Sequence, residues 1–387
     1  MRNISDTIAR LAALRAQHAT RSPEGGPTGR LSTLASFGTN PGGLAARYYV
    51  PDGLPEGAPL VVVLHGCTQS AAAYDHSAGW SRLAEEAGFA VLYPEQQSAN
   101  NPNLCFNWFL PGDIDRERGE ARSIRGMIET MVADRGLDRD RVFITGLSAG
   151  GAMAGVMLAT HPESFAAGAI IAGLPYGTAT TVPQAFDRMR GAGLPADREL
   201  HRLVRDAASH AGPWPRISIW HGAADQTVVP ANAEALAAQW LGAHGLEAVP
   251  AREDRPGARR TRQVWHDTDG RPAVEVHLIA GMGHGTPLDG GDLGRPAPFM
   301  LDVGVSSTRE IAQFFGLAEG RAVAARDATP AVAGSTAPRV LPAPGPVVAP
   351  PPPPRPDSGA PSGEHGRQPT GVRKIIEDAL RTAGLMR

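Results

Sequence analysis

Short apolar runs alternate regularly with longer amphipathic runs along this 387-residue chain, and this alternation limits the folds it can adopt. Residues 59–66 form a continuous apolar run, which is typical of a strand covered on both faces. Alternating strands and helices predict the α/β class, with a mostly parallel central sheet and helices on both faces. Predicted strands are 44–50, 59–66, 89–94, 141–146, 167–173, 216–222 and 273–279, and predicted helices are 72–87, 120–135, 149–160, 231–243 and 307–316.

The two ends of the chain differ in character from its centre. Residues 4–18 place apolar side chains at helical spacing, so 1–43 is predicted to be an N-terminal helix and an arm ahead of a folded domain over 44–317. Residues 318–370 are rich in Pro and Ala, a composition typical of a disordered linker. Residues 371–387 again show helical periodicity and predict a tethered amphipathic helix that could dock on its own body, a second copy or a partner.

Composition and charge exclude several classes of protein. The formal net charge is −2, so the basic field expected of a nucleic-acid-binding protein is absent. No apolar run approaches the ~18 residues needed for a transmembrane segment. Two cysteines and scattered histidines show no metal-ligand spacing, so neither a metal nor a cofactor is predicted. Charges interrupt each apolar stretch near the N-terminus, which favours a cytoplasmic protein without a secretory signal.

The segment from Gly146 to Gly151 carries the strongest chemical signal. It reads G-L-S-A-G-G and joins a predicted apolar strand to a predicted helix, which is the context that a nucleophile elbow requires. The flanking glycines allow a sharp turn, and the turn presents the Ser148 hydroxyl at the end of the sheet. Ser148 is therefore the predicted nucleophile; the alternative is a tight glycine-rich turn with an incidental serine.

An acid and a histidine follow Ser148 in the chain order expected for a catalytic triad of this type. Asp225 lies in the loop after strand 216–222, and His284 lies in the loop after strand 273–279. Parallel sheets place their functional groups at such strand ends. We predict that His284 acts as general base and then acid, and that Asp225 orients its imidazole. The competing acids Asp187, Asp206 and Asp292 do not follow a strand end.

An oxyanion hole needs two backbone N–H groups directed at the reacting carbonyl oxygen. The residue after the nucleophile, Ala149, is predicted to supply one. The loop after strand 59–66 is predicted to supply the other from Cys67, because Gly66 permits close approach of the backbone. The alternative for this loop is an ordinary strand exit.

Cys67 and Cys105 are the only cysteines. They are either two reduced core residues or one disulfide that holds the 100–110 loop beside the predicted oxyanion loop. A bridge would bring Trp108 to the rim of the substrate pocket, where its ring could contact an acyl or polymer unit. A purely structural tryptophan is the alternative. A Cys67 nucleophile is not favoured, since the predicted acid and histidine pair better with Ser148.

Several motifs together resemble the poly(3-hydroxybutyrate) depolymerase family of serine esterases, which is related to feruloyl and acetylxylan esterases. The resemblance covers about residues 45–316 and rests on V-V-L-H-G-C-T-Q-S (62–70), Y-P-E-Q (93–96), N-L-C-F-N-W (103–108), G-L-S-A-G-G-A-M (146–153), H-G-x-x-D (221–225) and G-M-G-H-G-T-P (281–287). It implies an α/β-hydrolase fold without a metal, and a triad of Ser148, Asp225 and His284. It also implies an oxyanion role for Cys67 and a Cys67–Cys105 bridge.

The resulting functional prediction is a serine esterase that cleaves carboxylic esters through an acyl-enzyme. The favoured substrates are poly(3-hydroxybutyrate)-type polyesters or their oligomers. One alternative is a feruloyl- or acetylxylan-type ester or an amide-linked polymer. Another, of a different class, is a non-catalytic granule-surface or scaffold protein attached or self-associated through its terminal helices. The family's secreted members carry a signal peptide and a separate polymer-binding domain, neither of which is visible here, yet the resemblance keeps an extracellular location as the alternative to the cytoplasm.

Overall fold

A ten-stranded sheet forms the centre of the protein in a computed structural model that describes residues 30–257 and 259–318. The strands are β1 (Ser32–Thr33), β2 (Ala45–Tyr49), β3 (Leu60–Leu64), β4 (Ala90–Glu95), β5 (Val142–Leu147), β6 (Ala167–Ile171), β7 (Arg216–Gly222), β8 (Arg252–Asp254), β9 (Arg260–His266) and β10 (Pro272–Ile279), with β11 (Thr286–Leu288) and β12 (Met300–Asp302) as a separate pair. The strand order is β1-β2-β4-β3-β5-β6-β7-β10-β9-β8. The six neighbouring strands β4-β3-β5-β6-β7-β10 all pair in parallel, which confirms the predicted α/β class.

Helices cover both faces of this sheet. They are α1 (Ala71–Ala78), α2 (Trp80–Ala87), α3 (Gly119–Arg135), α4 (Ala149–Thr160), α5 (Val182–Met189), α6 (Asp197–Ala207), α7 (Ala231–His244) and α8 (Ser307–Phe315). Along β3, Leu60, Val62 and Leu64 pack with α3, α4 and α7. Val61 and Val63 pack instead with α1, α2 and α8. The continuous apolar run of β3 thus follows from burial on both faces of the sheet.

Several elements differ from the sequence prediction. The predicted helix 72–87 is two helices that meet at Gly79, which has a left-handed φ of 80°. Residues 174–215, which the sequence left unassigned, contain α5 and α6. Strands β8 and β9 pair in antiparallel and extend the sheet beyond β10. These antiparallel strands are short or polar, so their periodicity alone did not indicate them.

The predicted N-terminal arm also contributes to the sheet. Within it, β1 pairs with β2 in antiparallel, and the amide of Gly42 donates to the Ser123 hydroxyl at 2.8 Å. The predicted helices 4–18 and 371–387 lie outside the described residues, as does the predicted linker beyond residue 318. No helix in the described ranges is long and apolar enough to cross a membrane.

The strand register brings the carboxyl ends of the central strands to one edge of the sheet. Leu64, the last residue of β3, pairs with Gly146 in β5, and Leu147 pairs with Ile171 at the end of β6. At the other side, Gly222 at the end of β7 pairs with Ile279 at the end of β10. The loops that carry the predicted functional residues therefore meet at this edge.

Candidate active site

Ser148 lies in a strained turn between β5 and α4. Its φ is 57° and its ψ is −117°, and its amide donates to the Ile171 carbonyl at 2.9 Å. A positive φ is rare for a residue with a Cβ and costs free energy that the surrounding contacts must offset. The Ser148 side chain remains partly exposed while its neighbours Leu147 and Ala149 are buried. The turn therefore presents the hydroxyl at the open edge of the sheet.

The glycines around Ser148 are required by close backbone contacts. A Cβ placed on Gly146 would lie 2.4 Å from the Gly150 carbonyl oxygen. A Cβ placed on Gly150 would lie 2.4 Å from the His65 carbonyl oxygen. Only glycine permits this approach. It brings the first turn of α4 against the end of β3, where the loop with Cys67 begins.

The structure brings Ser148, His284 and Asp225 together in a continuous hydrogen-bonded chain. The His284 Nε2 atom lies 2.8 Å from the Ser148 Oγ atom, and the His284 Nδ1 atom lies 2.7 Å from the Asp225 Oδ2 atom. In the tautomer that deprotonates a serine, Nδ1–H donates to the carboxylate and Nε2 accepts from the hydroxyl. These three side chains have the connectivity of a nucleophile, a general base and an orienting acid.

Asp225 is held rigidly and in its charged form. Its side chain is buried, and its Oδ1 atom accepts from the amides of Thr227 at 2.8 Å and Val228 at 3.0 Å. Burial raises the pKa of Asp225, but the hydrogen bond and charge of His284 lower it, and the net shift is downward. An ionised carboxylate bonded to the histidine is what a serine–histidine–acid triad requires.

The three competing acids lie in ion pairs elsewhere. Asp187 pairs with Arg190, Asp206 pairs with Arg202, and Asp292 pairs with Arg309. The carboxylate bonded to His284 is that of Asp225.

His221, in the H-G-x-x-D motif, is a neighbour of Asp225 that the sequence prediction gave no role. Its Nε2 atom lies 3.6 Å from the Asp225 Oδ2 atom and bonds to the Val228 carbonyl oxygen at 2.8 Å. Burial lowers the pKa of His221, which favours its neutral form. Neutral His221 therefore holds the loop that carries Asp225 through the Val228 carbonyl, and it adds no positive charge beside the Asp225 carboxylate.

The predicted oxyanion residues lie at the start of α4 and in the loop after β3. Ala149 is the first residue of α4, and Cys67 follows the end of β3. The Gly66 amide donates to the Gln69 Oε1 atom at 2.9 Å, and the Thr68 amide donates to the Asn103 carbonyl oxygen at 2.7 Å. Neither the Cys67 N–H nor the Ala149 N–H donates to another residue in the described part of the chain. Both donors therefore remain available to an oxyanion.

Cys67 and Cys105 form a disulfide, which confirms the bridge implied by the family resemblance. The bridge ties the predicted oxyanion loop to the loop around Cys105. The Gln96 side-chain amide donates to the Cys105 carbonyl oxygen at 3.0 Å and to buried Glu120 at 2.6 Å. Beside this loop, the Nε2 atom of buried His65 accepts from the Gln96 amide at 3.1 Å. The disulfide and these hydrogen bonds therefore tie the Cys67 loop and the Cys105 loop to Gln96, which follows β4.

Trp108, which the sequence prediction placed at the rim of the substrate pocket, is buried. Its exposed fraction is 6%, and its ring packs edge-on against Phe109 with a centroid distance of 5.4 Å. The indole belongs to the core that includes α3 and α4. A large aromatic ring loses free energy when it leaves water, so the structural alternative describes its position better. Its contact with a substrate stays a prediction.

Backbone strain is concentrated around these residues. Within the described ranges, non-glycine residues with positive φ are Thr68, Leu104, Ser148, Ala172 and Phe299. Thr68 and Leu104 each adjoin one of the bridged cysteines in sequence. Ala172 adjoins Ile171, whose carbonyl accepts from the Ser148 amide. The Phe299 ring packs on His284. Strained backbone collects at functional sites, yet no residue-type pattern in the sequence indicates it here.

No group of three or more His, Cys, Asp or Glu side chains in residues 30–257 and 259–318 could hold a metal ion. An elbow serine bonded to a histidine–aspartate pair, at the carboxyl edge of a parallel sheet, defines a serine hydrolase of the α/β-hydrolase fold.

Comparison with known proteins agrees with this class. The solved structure of an acetyl xylan esterase from Aspergillus awamori is 25% identical, with a TM-score of 0.65 over 75% of this chain and 100% of that one. The family description Esterase PHB depolymerase matches residues 44–265, and the chain belongs to that family.

Two curated relatives cover most of the same region. The poly(3-hydroxyalkanoate) depolymerase C of Paucimonas lemoignei is 47% identical over 292 residues, which span 74% of this chain and 70% of the relative. An acetylxylan esterase of Coprinopsis cinerea is 31% identical over 272 residues, which span 68% of this chain and 71% of the relative. The protein is a carboxylic ester hydrolase of the serine hydrolase type.

Proposed function

We propose that this esterase hydrolyses poly(3-hydroxyalkanoate)-type polyesters and their oligomers, with Ser148, His284 and Asp225 as its catalytic triad. The observation that carries the substrate is the 47% identity to a poly(3-hydroxyalkanoate) depolymerase. The observation that carries the triad is the hydrogen-bonded chain from Ser148 through His284 to Asp225.

Acylation begins when the Ser148 Oγ atom attacks the ester carbonyl carbon and His284 Nε2 accepts the hydroxyl proton. The carbonyl oxygen becomes an oxyanion, which the N–H groups of Cys67 and Ala149 stabilise. The N-terminal end of α4 adds a favourable partial positive charge. As the tetrahedral intermediate collapses, the bond to the alcohol oxygen breaks and the His284 imidazolium protonates that oxygen. The alcohol leaves, and the acyl group remains on Ser148.

Deacylation repeats these steps with water as the nucleophile. His284 Nε2 takes a proton from water, the hydroxide attacks the acyl carbon, and Ser148 leaves with the proton returned by His284. The buried Asp225 carboxylate stays charged through both halves, since its pKa is shifted downward. It holds the imidazole with Nε2 directed at the reacting atoms.

Clearing of an amorphous poly(3-hydroxybutyrate) suspension tests this proposal, with hydrolysis of p-nitrophenyl butyrate measured in parallel. We expect the wild-type protein to clear the suspension and Ser148→Ala to lose both activities. Ser98→Ala, at an exposed serine, is the matched control and should retain both. Hydrolysis of the small ester without clearing would refute the polyester substrate but keep the mechanism. Full activity in Ser148→Ala would refute the nucleophile.

Acetylated xylan is the second candidate substrate. It is supported by the 31% identical acetylxylan esterase and by the match to an acetyl xylan esterase structure with a TM-score of 0.65. Acetate release from acetylated xylan, compared with polyester clearing by the same preparation, separates the two candidates. Release of acetate without clearing would favour this alternative.

The compartment and the attachment of the protein stay proposals. The Cys67–Cys105 bridge supports the extracellular alternative over the cytoplasmic prediction, because disulfides persist in oxidising compartments and are reduced in the cytosol. Thiol alkylation in freshly lysed native cells, followed by mass spectrometry, tests this. Two alkylated cysteines would favour the cytoplasm. Attachment to polymer granules or self-association through the terminal segments is proposed on the sequence pattern alone.

A further inference from the structure

A tight turn between Ala297 and Met300 places an aromatic side chain beside the triad. The Met300 amide donates to the Ala297 carbonyl at 2.9 Å, and the Ala297 amide donates to the Met300 carbonyl at 3.3 Å. Pro298 and Phe299 occupy the two corner positions, and Phe299 has a φ of 64°. Proline followed by a positive φ is typical of a type II turn, in which glycine is the usual second residue. This sequence places phenylalanine there instead.

The turn holds Phe299 against the catalytic histidine. The centroids of the Phe299 and His284 rings are 5.9 Å apart, with an interplanar angle of 78°. The Phe299 carbonyl oxygen accepts from the Thr286 amide at 2.8 Å, two residues after His284. The backbone of Phe299 is therefore fixed to the segment that carries the histidine, and its strained conformation is maintained by these contacts.

The same turn is linked to the predicted oxyanion loop through Gln69. The Gln69 Oε1 atom accepts from the Gly66 amide at 2.9 Å, and its Nε2 atom donates to the Pro298 carbonyl oxygen at 3.4 Å. Residues 295–298 are exposed, and Phe299 is partly exposed. The turn thus lies between the loop of the base and the loop of an oxyanion donor, with apolar surface open to an incoming chain.

We propose that Phe299 is a specificity-determining residue that contacts the alcohol portion of the ester. In the proposed mechanism His284 protonates the leaving oxygen, so the chain beyond that oxygen must pass beside the imidazole. The Phe299 ring is the aromatic surface that the structure places edge-on to that imidazole. It would favour esters whose alcohol part is apolar and extended, as in the remaining chain of an aliphatic polyester. This inference rests on the proposed roles of Ser148 and His284.

Two ester series test the inference on the full chain by pH-stat titration. One keeps butyrate and varies the alcohol from methyl through butyl to hexyl, and the other keeps ethanol and varies the acyl group from acetate to hexanoate. The variant Phe299→Gly suits the left-handed turn position and therefore leaves the backbone free of strain. The variant Phe299→Tyr keeps the aromatic ring and is the matched control.

We expect Phe299→Gly to lower the hexyl-to-methyl ratio of kcat/KM by about 2-fold to 10-fold, as for loss of an aromatic contact. Phe299→Tyr should restore the wild-type ratio, and the acyl series should change less than the alcohol series. A change confined to the acyl series would overturn the inference. So would an equal loss on all esters with an altered pH profile, which would mean that Phe299 only positions His284. Activity in Ser148→Ala would instead refute the mechanism on which the inference rests.

Discussion

Gly150 shows how a single residue controls the geometry of the site. A Cβ at this position would lie 2.4 Å from the His65 carbonyl oxygen and 2.5 Å from the Leu64 carbonyl oxygen, both of them backbone atoms. Backbone cannot rotate away from such a contact, so α4 and the Cys67 loop would have to separate. The N–H groups of Ala149 and Cys67 would then no longer converge on one oxyanion.

We therefore expect Gly150→Ala to lower the free energy of unfolding by about 2–3 kcal/mol and kcat by about 10-fold or more. Gly155→Ala is the matched control on the same helix, because the nearest neighbour of a Cβ there would be the Ile170 Cδ1 atom at 3.6 Å, an ordinary contact distance. That control should stabilise the protein by up to about 1 kcal/mol, as alanine does within helices. For each variant, urea unfolding measures the free energy of unfolding and ester hydrolysis measures kcat. Equal effects of the two substitutions would contradict the close-contact argument.

Among the structural elements, the loop around Cys105 depends on a buried carboxyl group at the start of α3. The Glu120 carboxyl is fully buried and accepts from the Asn107 amide at 2.9 Å and from the Gln96 side chain at 2.6 Å. Burial and nearby Asp113 raise the pKa of Glu120 to about 8, although these hydrogen bonds act to lower it. Glu120 is therefore largely protonated near neutral pH.

This shift predicts how stability varies with pH. Glutamate in the unfolded chain has a pKa of ~4.3, whereas the pKa of Glu120 in the folded protein is about 8. Between these two pH values the folded state binds more protons than the unfolded state, so the free energy of unfolding falls as the pH rises from ~4.3 to about 8. The contribution is at most ~1.4 kcal/mol per pH unit. We expect Glu120→Gln to flatten this decline, measured by urea unfolding at several pH values from 5 to 8. Glu129→Gln, at a half-exposed position on the same helix, should follow the wild-type slope. Parallel slopes for both variants would refute the assignment.

The predicted and observed elements agree where a segment is long and periodic. The strands of the parallel sheet and the helices α3, α4, α7 and α8 follow the sequence pattern, because burial against the sheet imposes a regular spacing of apolar residues. Strands β8 and β9 were missed, since β8 is short and β9 is mostly polar, with its apolar residues Val264 and Trp265 adjacent rather than alternating. The break at Gly79 was also missed, because apolar spacing continues across it. It depends partly on Asp75, which accepts from the Ser81 amide at 2.8 Å.

In the whole molecule, the proposed site lies within residues 65–299, and the described residues all belong to one compact unit. We expect deletion of Arg321–Arg387 to leave kcat for p-nitrophenyl butyrate equal to that of the full chain, because no proposed site residue is removed. A large loss of kcat would contradict this expectation. Sedimentation with poly(3-hydroxybutyrate) particles, using Ser148→Ala to prevent digestion, tests whether the deleted segment contributes attachment. Equal sedimentation with and without it would refute that role.

The α/β class, the elbow serine and the order in which acid and histidine follow it could be predicted from the sequence alone. These features are encoded within a few neighbouring residues, as apolar spacing, flanking glycines and positions after strands. Which groups come into contact depends on the tertiary structure. It brings His284 to Ser148 across 136 residues and to Asp225 across 59, buries Trp108, and turns Phe299 onto the histidine. Such contacts depend on strand register and on the path of the loops, which local patterns do not specify.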